Sequence, residues 1–145
     1  VAEQRLRGSY DEAMVISYSL GSVNIGGGTT NQRIKPPPGA RFGAIEDMHV
    51  SVTTTFTQVT TPAFIRVGTV DDADKYAELN MGAAAANTGY GLTDHDALGI
   101  KQKVIDLGKD SDAGTAITDL RIALIAPTGG SPAGVGIPTI TMKWW

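Results

Sequence analysis

The chain contains no cysteine. Disulfides, thiolate metal sites and cysteine catalysis are therefore excluded, and stability has to come from packing or association. The absence fits folding in a reducing cytoplasm. Histidine is scarce as well. His49 and His95 are the only two and lie far apart, too few for a histidine-built zinc site. Basic runs are missing: 12 Lys and Arg stand against 15 Asp and Glu, for a formal net charge of −3. No block of cations offers a nucleic-acid footprint. No apolar run approaches the ~18 residues of a membrane helix. Residues 1–13 hold no apolar core of the signal-peptide kind. There is no internal repeat and no amphipathic helical pattern of useful length.

What is present points to β-structure. The 145 residues, 41% of them hydrophobic, suit one domain with a sizeable core. Glycine is abundant at 18 residues, and threonine clusters between positions 53 and 61. Glycine punctuates short strands, and threonine favours a pleated, half-exposed surface.

Alternation marks the strands. Met14, Ile16, Tyr18 and Leu20 alternate with Val15, Ser17 and Ser19. Residues 44–56 form the longest candidate. Met48, Val50, Val52, Thr54 and Phe56 are expected on its buried face; Asp47, His49, Ser51, Thr53 and Thr55 are expected on its wet face. Residues 63–70 and 75–81 read as two strands joined by an acidic turn at 71–74. Residues 99–107 and 117–126 add two more, the second with Leu120, Ile122, Leu124 and Ala126 sharing a face. Residues 21–39 and 82–99 read as loops. The first holds three consecutive glycines and the run Pro36, Pro37, Pro38, which favours polyproline II and cannot sit inside a sheet.

The chain closes on an alternating strand. Pro138, Ile140, Met142 and Trp144 fall on one side; Thr139, Thr141, Lys143 and Trp145 fall on the other. By alternation only one tryptophan can face the core. The other needs a second sheet, a neighbouring subunit or solvent, which favours association. The expected fold is all-β: an antiparallel β-sandwich, jelly-roll-like, with long loops and an extended N-terminal arm. The arm is assigned to residues 1–12 and the single sandwich domain to residues 13–145.

Candidate chemistry is thin. Asp71, Asp72 and Asp74 crowd one turn, but the loop lacks the glycine and glutamate that a calcium loop places at its sixth and twelfth positions. Aspartates are also ordinary turn residues. Asp47, His49 and Ser51 lie along one strand face, where neighbours sit ~7 Å apart and cannot converge as a triad. Gly26, Gly27 and Gly28 lack the following lysine of a phosphate loop. The carboxylates Glu46, Asp47, Glu78 and Asp106 carry no pairing geometry that would suit glycoside hydrolysis. No catalytic residue, cofactor site or metal site is assigned, and no enzyme activity is expected.

Three segments together resemble a known group. They are residues 60–69 (TTPAFIRVGT) running into residues 74–79 (DKYAEL), residues 126–134 (APTGGSPAG), and the closing Trp-Trp strand. They are similar to capsid decoration, or cement, proteins of tailed bacteriophages, which are small virion structural proteins with a jelly-roll-like sandwich. The resemblance spans about residues 45–145. It implies a non-enzymatic protein, made in the host bacterial cytoplasm and bound to the capsid exterior. It also implies the major capsid protein as partner and assembly as a homotrimer, with no nucleic acid, membrane or cofactor involved. The expected contact residues are Arg5, Arg7 and Tyr10 of the arm; Ile34, Pro36, Pro37 and Pro38 of the proline loop; and Trp144 and Trp145. A tail-fibre receptor-binding module and a lectin-like carbohydrate-binding module are the alternatives.

Overall fold

The computed structural model describes residues 13–92, 99–109 and 114–145. The strands are β1 (Met14–Ser19), β2 (Val23–Asn24), β3 (Thr30–Ile34), β4 (Phe42–Thr57) and β5 (Phe64–Gly68). They continue as β6 (Ala77–Asn80), β7 (Thr88–Gly91), β8 (Ile105–Asp106), β9 (Leu120–Ile125) and β10 (Ala133–Trp144). A 3-10 turn covers Ile25–Gly27.

Two antiparallel sheets result. One runs β1-β10-β4-β7, with β2 extending the β10 edge and β8 the β4 edge; the other runs β3-β9-β5-β6. Take only the eight strands of four or more residues, numbered in order of appearance. The first sheet then reads 1-8-3-6 and the second 2-7-4-5. This doubly wound order makes the chain a β-sandwich of the jelly-roll kind, in which two four-stranded sheets close over one core.

The core follows from the alternation. In β10, Pro138, Ile140, Met142 and Trp144 are buried, while Thr139, Thr141 and Lys143 between them are only partly covered. Opposite them, β9 contributes Leu120, Ile122 and Leu124, and β5 contributes Ile65 and Val67, all within one apolar cluster. Each fully buried side chain of this size is worth about 1.5–3 kcal/mol of transfer free energy.

Pro138 sits in the middle of a central strand, a place proline normally avoids. Its carbonyl accepts from Leu20 N–H at 2.9 Å, so the side of Pro138 that lacks an N–H faces the edge of the sheet. There the edge is interrupted: β1 ends at Ser19, opposite Thr139, and β2 begins at Val23, opposite Gly136. The one ladder bond left unmade is the reciprocal one to the Leu20 carbonyl, which accepts from Gln32 Nε2 at 3.4 Å instead.

Several expectations are corrected. Thr54 is exposed instead of buried. The pairing of β4 with β10 shifts register between Ala133 and Val135 and again between Val135 and Gly136. The extra β4 residues form bulges that turn Thr54 outward and bring Phe56 back to the core. Residues 30–34, read as loop, form edge strand β3 against β9. Residues 88–91, also read as loop, form β7 against β4. Residues 99–107, read as one strand, give only β8 and an isolated bridge from Ile100 to Ala77.

Candidate interaction surfaces

The winding places loops at two opposite ends. Trp144 pairs with Met14 on one side and with Gly43 on the other, and Phe42 pairs with Asp106. The start of β1, the loop before β4, the loop after β8 and the last residue therefore share one end, where Ile34 also pairs with Leu120. The opposite end gathers residues 20–29, 58–63, 81–87 and 126–132, the loops that leave or enter the other tips of the same strands.

The first end collects most of the expected contact residues. Arg41 N–H and Phe42 N–H both donate to the Trp145 carbonyl, at 2.8 and 2.9 Å, and Trp145 N–H donates to Phe42 O at 3.1 Å. The Trp145 ring stacks on Phe42 with centroids 5.8 Å apart. Beside it, a shallow open groove of about 370 Å³ is lined by Lys35, Pro36, Ala40, Arg41, Leu107 and Ile117, among others. Pro36 and Pro37 are half-buried and Pro38 is exposed. Arg5, Arg7 and Tyr10 lie outside the described residues, as does the whole arm assigned to residues 1–12.

Three of the expected contact residues are not surface groups. Ile34 is 2% exposed, Trp144 is 0% and Trp145 is 8%. Ile34 belongs to the core cluster, as the inward residue of a strand not foreseen there. Trp144 is an inner residue of β10. Its indole N–H donates to the Tyr18 hydroxyl at 2.9 Å, and the two rings meet edge to face at 6.5 Å. Trp145, on the opposite side of the strand, is covered by Phe42 of the same chain instead of by a neighbour. The terminal pair therefore gives no reason for association.

The other candidate clusters stay apart. Glu78 is bound to Arg66 at 2.7 Å on the outer side of one sheet, while Glu46 and Asp47 lie on the outer side of the other. Glu78 therefore cannot flank one bond with Glu46 or Asp47. The acidic turn is held as a turn: Thr69 N–H donates to Asp72 O, and Asp72 N–H to Thr69 Oγ1. Asp74 pairs with Lys101. That ammonium holds the Asp74 carboxyl below the usual carboxylate range, against the opposing effect of burial. His49 leans over Gly89, whose pro-Cβ position would sit 2.5 Å from the imidazole Nε2. Among the described residues, no group of three or more His, Asp or Glu is placed to hold a metal ion. His95, Asp94, Asp96, Asp110 and Asp112 lie outside the described residues.

The second end differs in kind. Its four loops contain no Asp, Glu, Lys, Arg or His. They are bonded to one another: Phe56 N–H donates to Ala84 O, Met81 N–H to Ala63 O, and Thr128 N–H to Thr61 O. Thr29 Oγ1 accepts from Ala126 N–H at 2.9 Å. None of the expected contact residues that the structure describes falls there.

No protein family model matches this sequence, and no curated protein sequence matches it. In fold, the chain is similar to a chain of the cyanophage Pam1 capsid asymmetric unit, with 12% identity and a TM-score of 0.42. That match covers 91% of this chain and 85% of the other. It is also similar to a chain of Desmodium yellow mottle tymovirus, with 11% identity and a TM-score of 0.32, covering 91% and 87%.

Proposed function

We propose that this chain is a structural protein of a virus particle, and specifically a decoration protein. On this reading it binds the outer surface of a phage capsid as a homotrimer and bridges neighbouring copies of the major capsid protein. The observation that carries the reading is the 1-8-3-6 and 2-7-4-5 strand order around an interior filled by side chains. Jelly rolls of this order serve as rigid building blocks in virus shells. The segments that resemble decoration proteins fall on β5, β6, the β9–β10 loop and β10, the framework of that sandwich. Fold alone does not fix function, so support also comes from the first end. There the proline loop, the basic groove side chains Lys35 and Arg41, and the point from which residues 1–12 depart lie together. Many weak, identical contacts from such ends become strong on a repetitive shell.

Copy number in purified particles from the source tests the reading, by quantitative mass spectrometry against the major capsid protein. Hundreds of copies per particle, in fixed proportion to the shell, are expected. A handful of copies would assign the chain to a tail or fibre, and absence from particles would overturn a virion role.

A further inference from the structure

We propose that the uncharged end of the sandwich is the surface through which copies of this chain associate. The inference names a contact for the homo-oligomer of the preceding reading, and it does not depend on where that oligomer is used.

The chain carries 27 formally charged side chains, 12 basic and 15 acidic, yet none falls in residues 20–29, 58–63, 81–87 or 126–132. The adjoining strand ends extend the same character. β4 has no Asp, Glu, Lys or Arg after Asp47, and β10 has none before Lys143. In the other sheet the nearest ionised groups, Arg66 and Glu78, neutralise each other on its outer side. Depletion of charge is the compositional mark of an interface centre.

The surface is small-grained and presents one large apolar group. Val59 is 79% exposed at the tip of the β4–β5 loop, the most exposed large hydrophobic among the described residues. Ala83, Ala85, Gly130 and Pro132 of the same loops are exposed as well. Gly129 cannot carry a side chain, because its pro-Cβ position falls 2.3 Å from Thr60 Oγ1 and its φ is +89°. The loops are thus packed on one another before any partner arrives, and docking orders little chain.

Charge selects the occupant. Two copies that each carry −3 repel when charged surfaces meet. Among the described residues neither copy presents an ionised group at this end, so like ends meet without opposing charges. A strongly acidic or basic partner would find no counter-charge there and would lose hydration without return. A second copy of the same end is the match.

Sedimentation velocity on the full chain over a wide concentration range tests this. Self-association is expected, and it should hold or tighten between about 0.05 and 0.5 M salt, since no ion pairs are broken and salt screens the repulsion between the two net-negative copies. Val59→Glu, at a site too exposed to disturb folding, is expected to weaken association by about tenfold or more. Lys35→Glu at the opposite end is expected to leave it unchanged. A wild-type chain that stays monomeric throughout would overturn the proposal. So would association that dissolves in salt or survives Val59→Glu. If the wild-type chain is monomeric but Val59→Glu abolishes binding to purified shells, the end docks on the shell, and the assignment to a second copy is wrong while the decoration reading stands.

Discussion

Tyr18→Phe isolates one hydrogen bond that ties the edge of the larger sheet to its centre. Tyr18 lies on β1, the edge strand, opposite Ile140 of β10. Its hydroxyl accepts from the indole N–H of Trp144, at 2.9 Å, and Trp144 is fully buried. Phenylalanine keeps the ring and its edge-to-face contact, so the apolar packing is nearly conserved. What is lost is the acceptor, which leaves a buried indole N–H unsatisfied. A donor stranded in this way costs about 1–3 kcal/mol. For a chain of 145 residues, unfolding entropy of about 0.3 kcal/mol/K makes a loss of about 1.5 kcal/mol a fall in melting temperature of about 5 °C. Urea denaturation at neutral pH should show the same loss as a lower midpoint with unchanged slope. The bond also has a pH signature. Burial pushes the Tyr18 phenol above its ordinary value of 10.0, with the Trp144 hydrogen bond partly offsetting this. The folded state therefore holds the phenolic proton more tightly than the unfolded state. This stabilisation is fully present below pH 10 and is lost as pH rises through the raised folded value. The gap between wild type and Tyr18→Phe should accordingly narrow in alkali. A variant within 0.5 kcal/mol of wild type at about pH 7 would refute the assignment of a buried, unsatisfied donor.

Other perturbations probe the same framework. Gly43→Ala places a methyl 2.6 Å from Cζ3 of Trp144, deep in the core, and should destabilise the fold by about 1–3 kcal/mol in a urea titration. Trp145→Ala removes the stack on Phe42 from a residue 8% exposed, and should cost about 3 kcal/mol by thermal melting. Asp74→Asn should cost no more than about 0.5 kcal/mol, because its pair with Lys101 is solvent-accessible. The depressed Asp74 value means that its contribution is present above the ordinary carboxylate pKa and disappears as pH falls through the folded value. Acid unfolding curves of this variant and wild type should therefore converge once the pH has fallen below the depressed folded value.

Strands with strict alternation were legible from the residues alone, β1, β10 and the first part of β4 above all. Those that were not share a cause. β3 reads TNQRI, with one apolar residue, because it is an edge strand whose only inward anchor is Ile34. β7 reads TGYG, and its glycines look like loop until the pairing with β4 is known; at Gly89 the His49 imidazole then lies where a Cβ would be. The bulges near Thr54 leave no trace in the pattern, since two extra residues restore the phase at Phe56. Among the candidate contacts, Trp145 was misjudged because alternation locates a side of the strand and says nothing of Phe42 arriving to cover it. The uncharged end was written in the sequence as four separate stretches without ionisable residues. Only the winding of the sandwich, which joins positions a hundred residues apart, turns those stretches into one surface.

The place of β10 has a consequence for synthesis. It lies between β1 and β4, and its pairing joins Met14 to Trp144. Chains are made from the N-terminus at about 5–20 residues per second. While residues 133–144 are still unmade, β1 and β4 have a vacant slot between them and exposed ladder edges on both sides. The larger sheet can close only after residues 133–144 have emerged. Pairing across such sequence separations is slow, so the risk of strand exchange between neighbouring nascent chains is concentrated in that interval.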